Sequence, residues 1–261
     1  MQRTSIAPDF DKIPSDFYSL MAGAAVFDSS CSPEARVFFI DRDNGYYLKT
    51  APKNSLKRES QLTEYFHRKG LGPEVCAYLS EERDWLLTGA IPGEDCIHPM
   101  YLKNPTRLCE TTAELLWNLH HTDHTGCPVS DHTKLYLERV TRNYKTGNYD
   151  KSTFPDSFGY TSADEAWAAI QRNAKYLQSD MLIHGDYCLP NIILNNWRFS
   201  GFIDLDCAGV GDRHVDLFWG VWTLFFNLKT NKYQDRFLDA YGRSEFEPEI
   251  LRLIAACEAF G

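Results

Sequence analysis

Polar and apolar positions along the chain fall into short patterns that can be assigned element by element. Residues 36–40 and 46–50 are rich in aromatic and β-branched types, and Asp41-Arg42-Asp43-Asn44-Gly45 between them carries an Asn-Gly pair that favours a tight turn. A hairpin is predicted. In its second strand the period of two puts Tyr47 and Lys49 on one face, with Tyr46 and Leu48 on the other. From Ser55 to Lys69 the apolar residues Leu62, Tyr65 and Phe66 recur at helical spacing, and Gly70 stops the run. Glu59 shares the inward face of Leu62 and Phe66, whereas Glu64 is rotated away from it. Glu59 is therefore the better partner for Lys49.

After Gly72-Pro73 a strand-like stretch is followed by a second strand over 84–88. Gly89-Ala90-Ile91-Pro92-Gly93 closes it, and there the chain is expected to leave the sheet. Leu108 to His121 and Asp164 to Gln178 read as helices, and residues 125–164, rich in turn formers and Tyr, as an irregular insertion. Leu182-Ile183, Ile192-Ile193-Leu194 and residues 199–205 read as three short strands. The turn at Asn196-Trp197-Arg198 would bring Asn191 and Asp204, at the end of the third strand, side by side. The expected fold class is α+β: residues 1–88 form a small antiparallel-sheet lobe with one helix, 89–93 a hinge, and 94–261 a larger, mostly helical lobe.

Composition narrows the function. At 261 residues with 43% hydrophobic and 14% aromatic content the chain can bury a sizeable core. No apolar run approaches the roughly 18 residues of a membrane helix, and the N-terminus has no apolar signal core, so no membrane contact and a cytoplasmic location are expected. Eight scattered cysteines form no Cys-x-x-Cys pair and read as buried thiols. His120, His121 and His124 lie close together, and a structural or surface role is favoured over a metal site. A net charge of −9 argues against nucleic acid as a partner and suits a cationic small molecule. The expected assembly is a monomer or weak dimer.

The chemistry is concentrated in His184-Gly185-Asp186-Tyr187-Cys188-Leu189-Pro190-Asn191 and Gly201-Phe202-Ile203-Asp204. Asp186 follows a glycine that permits a tight backbone, and it lies five residues before Asn191, far enough to face an acceptor hydroxyl. Asn191 and Asp204 supply one carboxamide and one carboxylate, hard oxygens that suffice for magnesium when nucleotide phosphates complete its shell. Lys49 held by Glu59 is the arrangement kinases use to grip the α- and β-phosphates. Ser29-Ser30-Cys31-Ser32-Pro33-Glu34, just before the first strand, is either a loop over those phosphates, with Ser32 among its hydroxyls, or a plain surface loop.

These motifs, together with Arg83-Asp84-Trp85-Leu86-Leu87, Pro92-Gly93, Leu119-His120, Cys127-Pro128 and Gly211-Asp212-Arg213 with Asp216, resemble the aminoglycoside phosphotransferases, particularly the 3'-phosphotransferases, of the antibiotic kinase and choline kinase superfamily. The resemblance covers nearly the whole chain. It implies a protein-kinase-like bilobal fold and transfer of the γ-phosphate of ATP, with Mg2+, to a hydroxyl of an aminoglycoside antibiotic, the 3'-hydroxyl foremost. By this resemblance Asp186 is the base, Asn191 and Asp204 hold magnesium, and Lys49 with Glu59 fixes the phosphates. Tyr47 would stack on adenine, Gly89 and Ile91 would supply hinge backbone contacts, and Asp216 would brace the catalytic loop. Asp156, Asp206, Glu258 and Phe260 are the candidate contacts to the polyammonium acceptor.

Two departures concern that acceptor. Asp206-Cys207 stands where the 3'-phosphotransferases usually carry Gly-Arg, and the next helix reads Leu217-Phe218-Trp219-Gly220-Val221-Trp222-Thr223-Leu224-Phe225-Phe226 rather than presenting charges. Those aromatics read as a buried core helix or as a wall holding a quaternary ammonium in a choline-type kinase. A nucleotide-binding module without catalysis is disfavoured because Asp186 is present.

Overall fold

The structure, a computed structural model, describes residues 3–31, 35–150 and 159–261. Ser32 and Asp156 lie outside the described residues. The chain divides into two compact units, Met1–His98 with Pro190–Asp206, and Pro99–Leu189 with Cys207–Gly261.

The first unit carries β1 (Thr4–Ile6), α1 (Tyr18–Met21), β2 (Ala25–Asp28), β3 (Arg36–Asp41), β4 (Tyr46–Pro52), α2 (Lys57–Arg68), β5 (Val75–Ser80) and β6 (Arg83–Gly89). The strands form one antiparallel sheet in the order β1-β2-β3-β4-β6-β5. The β3–β4 pair is the hairpin expected from Asn44-Gly45. Leu48 faces a core of Val26, Phe38, Ile40, Trp85, Phe17 and Met21, so the strand period leaves Tyr47 and Lys49 on the opposite face.

A three-stranded sheet completes this unit, with β9 (Ile192–Asn195) between β7 (Glu94–Asp95) and β10 (Arg198–Phe202). Its pairing explains why residues 190–206 group with the first unit, whereas the expected cut at 89–93 left them with the helices. Glu94 and Asp95 pair with Leu194 and Ile193, and the Phe202 amide donates to the Leu71 carbonyl at 2.7 Å. The third expected strand is shorter than its apolar run: pairing stops at Phe202, and Asp204 turns into the left-handed region with φ of 56°.

The second unit pairs β8 (Met181–Ile183) with β11 (Gly209–Gly211) and is otherwise helical. Its helices are α3 (Pro99–Leu102), α4 (Pro105–His120), α5 (His132–Thr146), α6 (Ala163–Asn173), α7 (Arg213–Leu228), α8 (Gln234–Tyr241) and α9 (Pro248–Glu258). The expected irregular insertion is corrected by α5. Asp131 caps its first turn by accepting from the Lys134 amide, Gly147 ends it at φ of 68°, and Tyr136, Val140 and Asn143 form the buried stripe. That stripe is narrow and partly polar, so composition masked it. Tyr136, Val140, Ile170, Val215, Ile254 and Phe260 share one core. Among the described residues no helix is long and apolar enough to cross a membrane.

Candidate active site

The first unit assembles the charged cluster. Lys49 Nζ donates to Glu59 Oε1 at 2.8 Å and to Asp204 Oδ1 at 2.9 Å. Strand β4 aims the lysine off the core, helix α2 turns Glu59 inward to 5% exposure, and Glu64 is exposed. Burial works against the lysine's charge, but Asp204 and Glu59 outweigh it and hold the ammonium above its ordinary range. Burial pushes the Glu59 carboxyl up, and Lys49 pulls the other way. Asn191 is buried just before β9, and its carbonyl accepts from the Ile203 amide at 3.0 Å, one residue before Asp204. The donor set suits magnesium: one carboxylate and one carboxamide oxygen are too few for a protein cage and enough for an ion completed by phosphates and water. Among the described residues no group of three or more His, Cys, Asp or Glu could hold a metal by itself.

Other nucleotide candidates also lie in this unit. The Tyr47 ring sits 5.1 Å from Phe39, and its hydroxyl accepts from the Arg3 guanidinium at 2.8 Å. The Gly89 amide donates to Glu74 and the Ala90 amide to Gly45, at 3.0 and 2.9 Å. Those two N–H groups are committed within the unit. Ile91 packs so closely on Gly201 that a Cβ there would lie 2.5 Å from its side chain.

The second unit holds the Asp186 loop. Strand β8 delivers His184, and Gly185 then adopts φ of 78°, where a Cβ would sit 1.9 Å from the Cys207 carbonyl oxygen. Asp216, fully buried in the first turn of α7, accepts the His184 and Gly185 amides, both at 2.7 Å. The expected brace beneath the loop is therefore a pair of backbone hydrogen bonds to one carboxylate. His120 stands 3.3 Å from Asp216 and 2.8 Å from the Tyr241 hydroxyl. Burial lowers its pKa, and the Asp216 carboxylate pulls the other way. Leu189 closes the loop, its amide donating to Thr223 Oγ1 at 3.1 Å.

The acceptor candidates divide. Both carboxylate oxygens of Asp206 accept from Arg58, Oδ1 from Nε at 3.0 Å and Oδ2 from an Nη at 2.6 Å, all within the first unit. Glu258 accepts from the Tyr136 hydroxyl at 2.7 Å, and burial pushes its carboxyl up to about 7, with the Asp186 charge adding to the rise. Phe260 is corrected: it is 1% exposed, packed edge-on to Tyr144, Tyr149 and Trp167, so its ring belongs to the core. The α7 aromatics divide, with Phe218 and Trp219 partly buried against the core. Trp222 stacks on Phe226 at 4.9 Å, Trp219 meets Trp222 edge-on, and Phe225 and Phe226 are about half exposed. Two polar partners were missed from sequence. The only sequence signal for Arg58 is its place beside Glu59, and Tyr136 has none.

Residues 27–254 match the phosphotransferase enzyme family. The chain is 47% identical over 254 residues to a probable aminoglycoside 3'-phosphotransferase of Lactococcus lactis, covering 97% of each. The chain belongs to the aminoglycoside phosphotransferase family. Solved relatives share the fold of this family member. One is an aminoglycoside 3'-phosphotransferase of type VIII, at a TM-score of 0.76 and 22% identity over 92% of this chain and 94% of that one. Another is the phosphotransferase APH(3'')-Id of Streptomyces rimosus in complex with ADP and streptomycin, at 0.70 and 19% over 94% and 97%. The family assignment agrees with the kinase-like α+β architecture expected from the motifs.

Proposed function

We propose that this enzyme transfers the γ-phosphate of ATP to the 3'-hydroxyl of an aminoglycoside, with Asp186 as base. The observation that carries the reading is the Lys49 ammonium held between Glu59 and Asp204. A cation so placed is preorganised for phosphate oxygens. Asn191 and Asp204 would hold Mg2+, which neutralises charge on the phosphates when bound. Lys49 would grip the phosphates while Glu59 orients it. Tyr47 would carry adenine, with the Gly89–Ile91 backbone beside it. Asp186 would accept the proton of the acceptor hydroxyl, and Glu258 would attract an acceptor ammonium.

The 3' position rests on the Lactococcus and type VIII relatives, against which the Streptomyces rimosus enzyme carries a 3'' designation. Purified protein with ATP and Mg2+ is expected to phosphorylate kanamycin or neomycin, with the product mapped by NMR. Phosphate on another ring would overturn the regiochemistry, and no transfer to any aminoglycoside would overturn the substrate class.

A second reading is favoured by one observation, the row Trp219, Trp222 and Phe226, in which the tryptophans are partly buried and Phe226 is about half exposed. Such a wall could hold a quaternary ammonium by cation–π contact, worth about 0.5–2 kcal/mol per ring, and the acceptor would then be a small amino alcohol such as choline. No turnover of choline, or a choline KM left unchanged by Trp222→Ala, would remove that reading.

A further inference from the structure

Arg58 and Glu59 are neighbours on α2, and each grips one of two residues in the segment that follows β10. Glu59 reaches Asp204 through Lys49, and Arg58 holds Asp206 directly. We propose that the Arg58–Asp206 pair is a latch that holds Asp204 in register with α2, making Arg58 and Asp206 positioning residues for the nucleotide phosphates. The inference rests on the kinase reading above, and it takes Asp206 out of the set of acceptor contacts.

Three observations support the latch. The contact is bidentate: two guanidinium nitrogens on two carboxylate oxygens fix the plane of Asp206, which a lysine could not do. The backbone it steadies also needs external support, because Asp204 sits at φ of 56°, where a side chain with a Cβ is disfavoured, and the chain then enters a 3-10 turn at Leu205–Cys207. Finally, charge is balanced by sharing. Three carboxylates, Glu59, Asp204 and Asp206, lie close enough that the two aspartates both push the Glu59 carboxyl up, and Lys49 serves two of them. Phosphates that draw Lys49 away from Asp204 would cut the ionic link from α2 to Asp204. The Arg58–Asp206 pair does not depend on Lys49, so it keeps the helix and the segment together in that step. Both partners are substantially exposed, 45% and 41%, so the pair adds little to folding stability, and its effect is on position.

The test is a double-mutant cycle of Arg58→Gln, Asp206→Asn and the pair together. Each single variant is expected to lower kcat/KM for ATP by about tenfold to a hundredfold, the scale on which a small misplacement of reacting groups acts. The acceptor KM should stay unchanged, and the double variant should be no worse than either single one. A readout independent of turnover is amide hydrogen exchange over residues 203–206 in protein free of metal and nucleotide, which should quicken equally in all three variants. Additive losses, a loss confined to the acceptor KM, or exchange unaltered by Arg58→Gln would each overturn the latch. An inactive wild-type enzyme would instead strike the kinase reading, while the exchange measurement would still decide the structural half of the proposal.

Discussion

At the scale of single residues, Asp186 and Glu258 are two carboxylates of the second unit for which different roles are proposed. Asp186 lies on a loop that Gly185 makes possible and Asp216 braces. Asp186→Ala is expected to lower kcat by two to four orders of magnitude while ATP affinity, read by nucleotide titration, barely moves. Glu258 carries a carboxyl raised from its ordinary value of 4.5 to about 7. Its proton is bound more tightly in the folded protein, so its contribution to stability is full below pH 4.5 and is lost as pH rises through 7. Thermal unfolding followed from pH 4.5 to 8 should therefore show a downward slope that Glu258→Gln flattens. The same ionisation creates the anion proposed to draw the acceptor, so aminoglycoside KM should fall between pH 6 and 8 in the wild type and lose that dependence in Glu258→Gln. The Gly185 position was legible in sequence as a requirement for a tight backbone; the raised carboxyl of Glu258 was not, because Tyr136, its partner, comes from a helix 122 residues away in sequence.

Among the elements, those with strong local signals were read correctly. Asn44-Gly45 marked the hairpin, and the stripe Leu62, Tyr65, Phe66 marked α2 and chose Glu59 over Glu64. Helix α5 was missed because its buried residues, His132, Thr133, Tyr136, Val140 and Asn143, are mostly polar, and the decisive information lay in its caps. Asp131 holds the Lys134 amide and also accepts from Ser179 at 2.8 Å. Asp131→Ala should therefore cost about 1 kcal/mol of stability, measured by chemical denaturation, with an unchanged m-value. A cost near zero would mean that Gly147 and the buried stripe hold α5 without its cap.

For the whole molecule, charge is the relevant quantity. The 36 acidic residues outnumber the 27 basic ones, and an acidic protein attracts a polycation over distances that salt screens. Raising ionic strength from about 0.05 to 0.5 M should increase the KM for an aminoglycoside severalfold and leave the KM for a neutral alcohol unchanged. Equal shifts for both would mean that charge attraction plays no part in acceptor binding.

The sequence by itself determined the local geometry: the strand lysine with its helical glutamate and the tight backbone at Gly185 were recognisable, because each sits in a local motif whose spacing is set by strand, turn or helix geometry. Tertiary structure alone decided which unit owns residues 190–206, since β7 and β9 pair across about a hundred residues of chain. It also decided that Asp206 answers to Arg58, that Phe260 belongs to a core, and that Phe225 and Phe226 of α7 stand half in water. The physical reason is the same in each case: hydrogen-bond partners, burial and exposure depend on what folds against a residue, and no local pattern carries that.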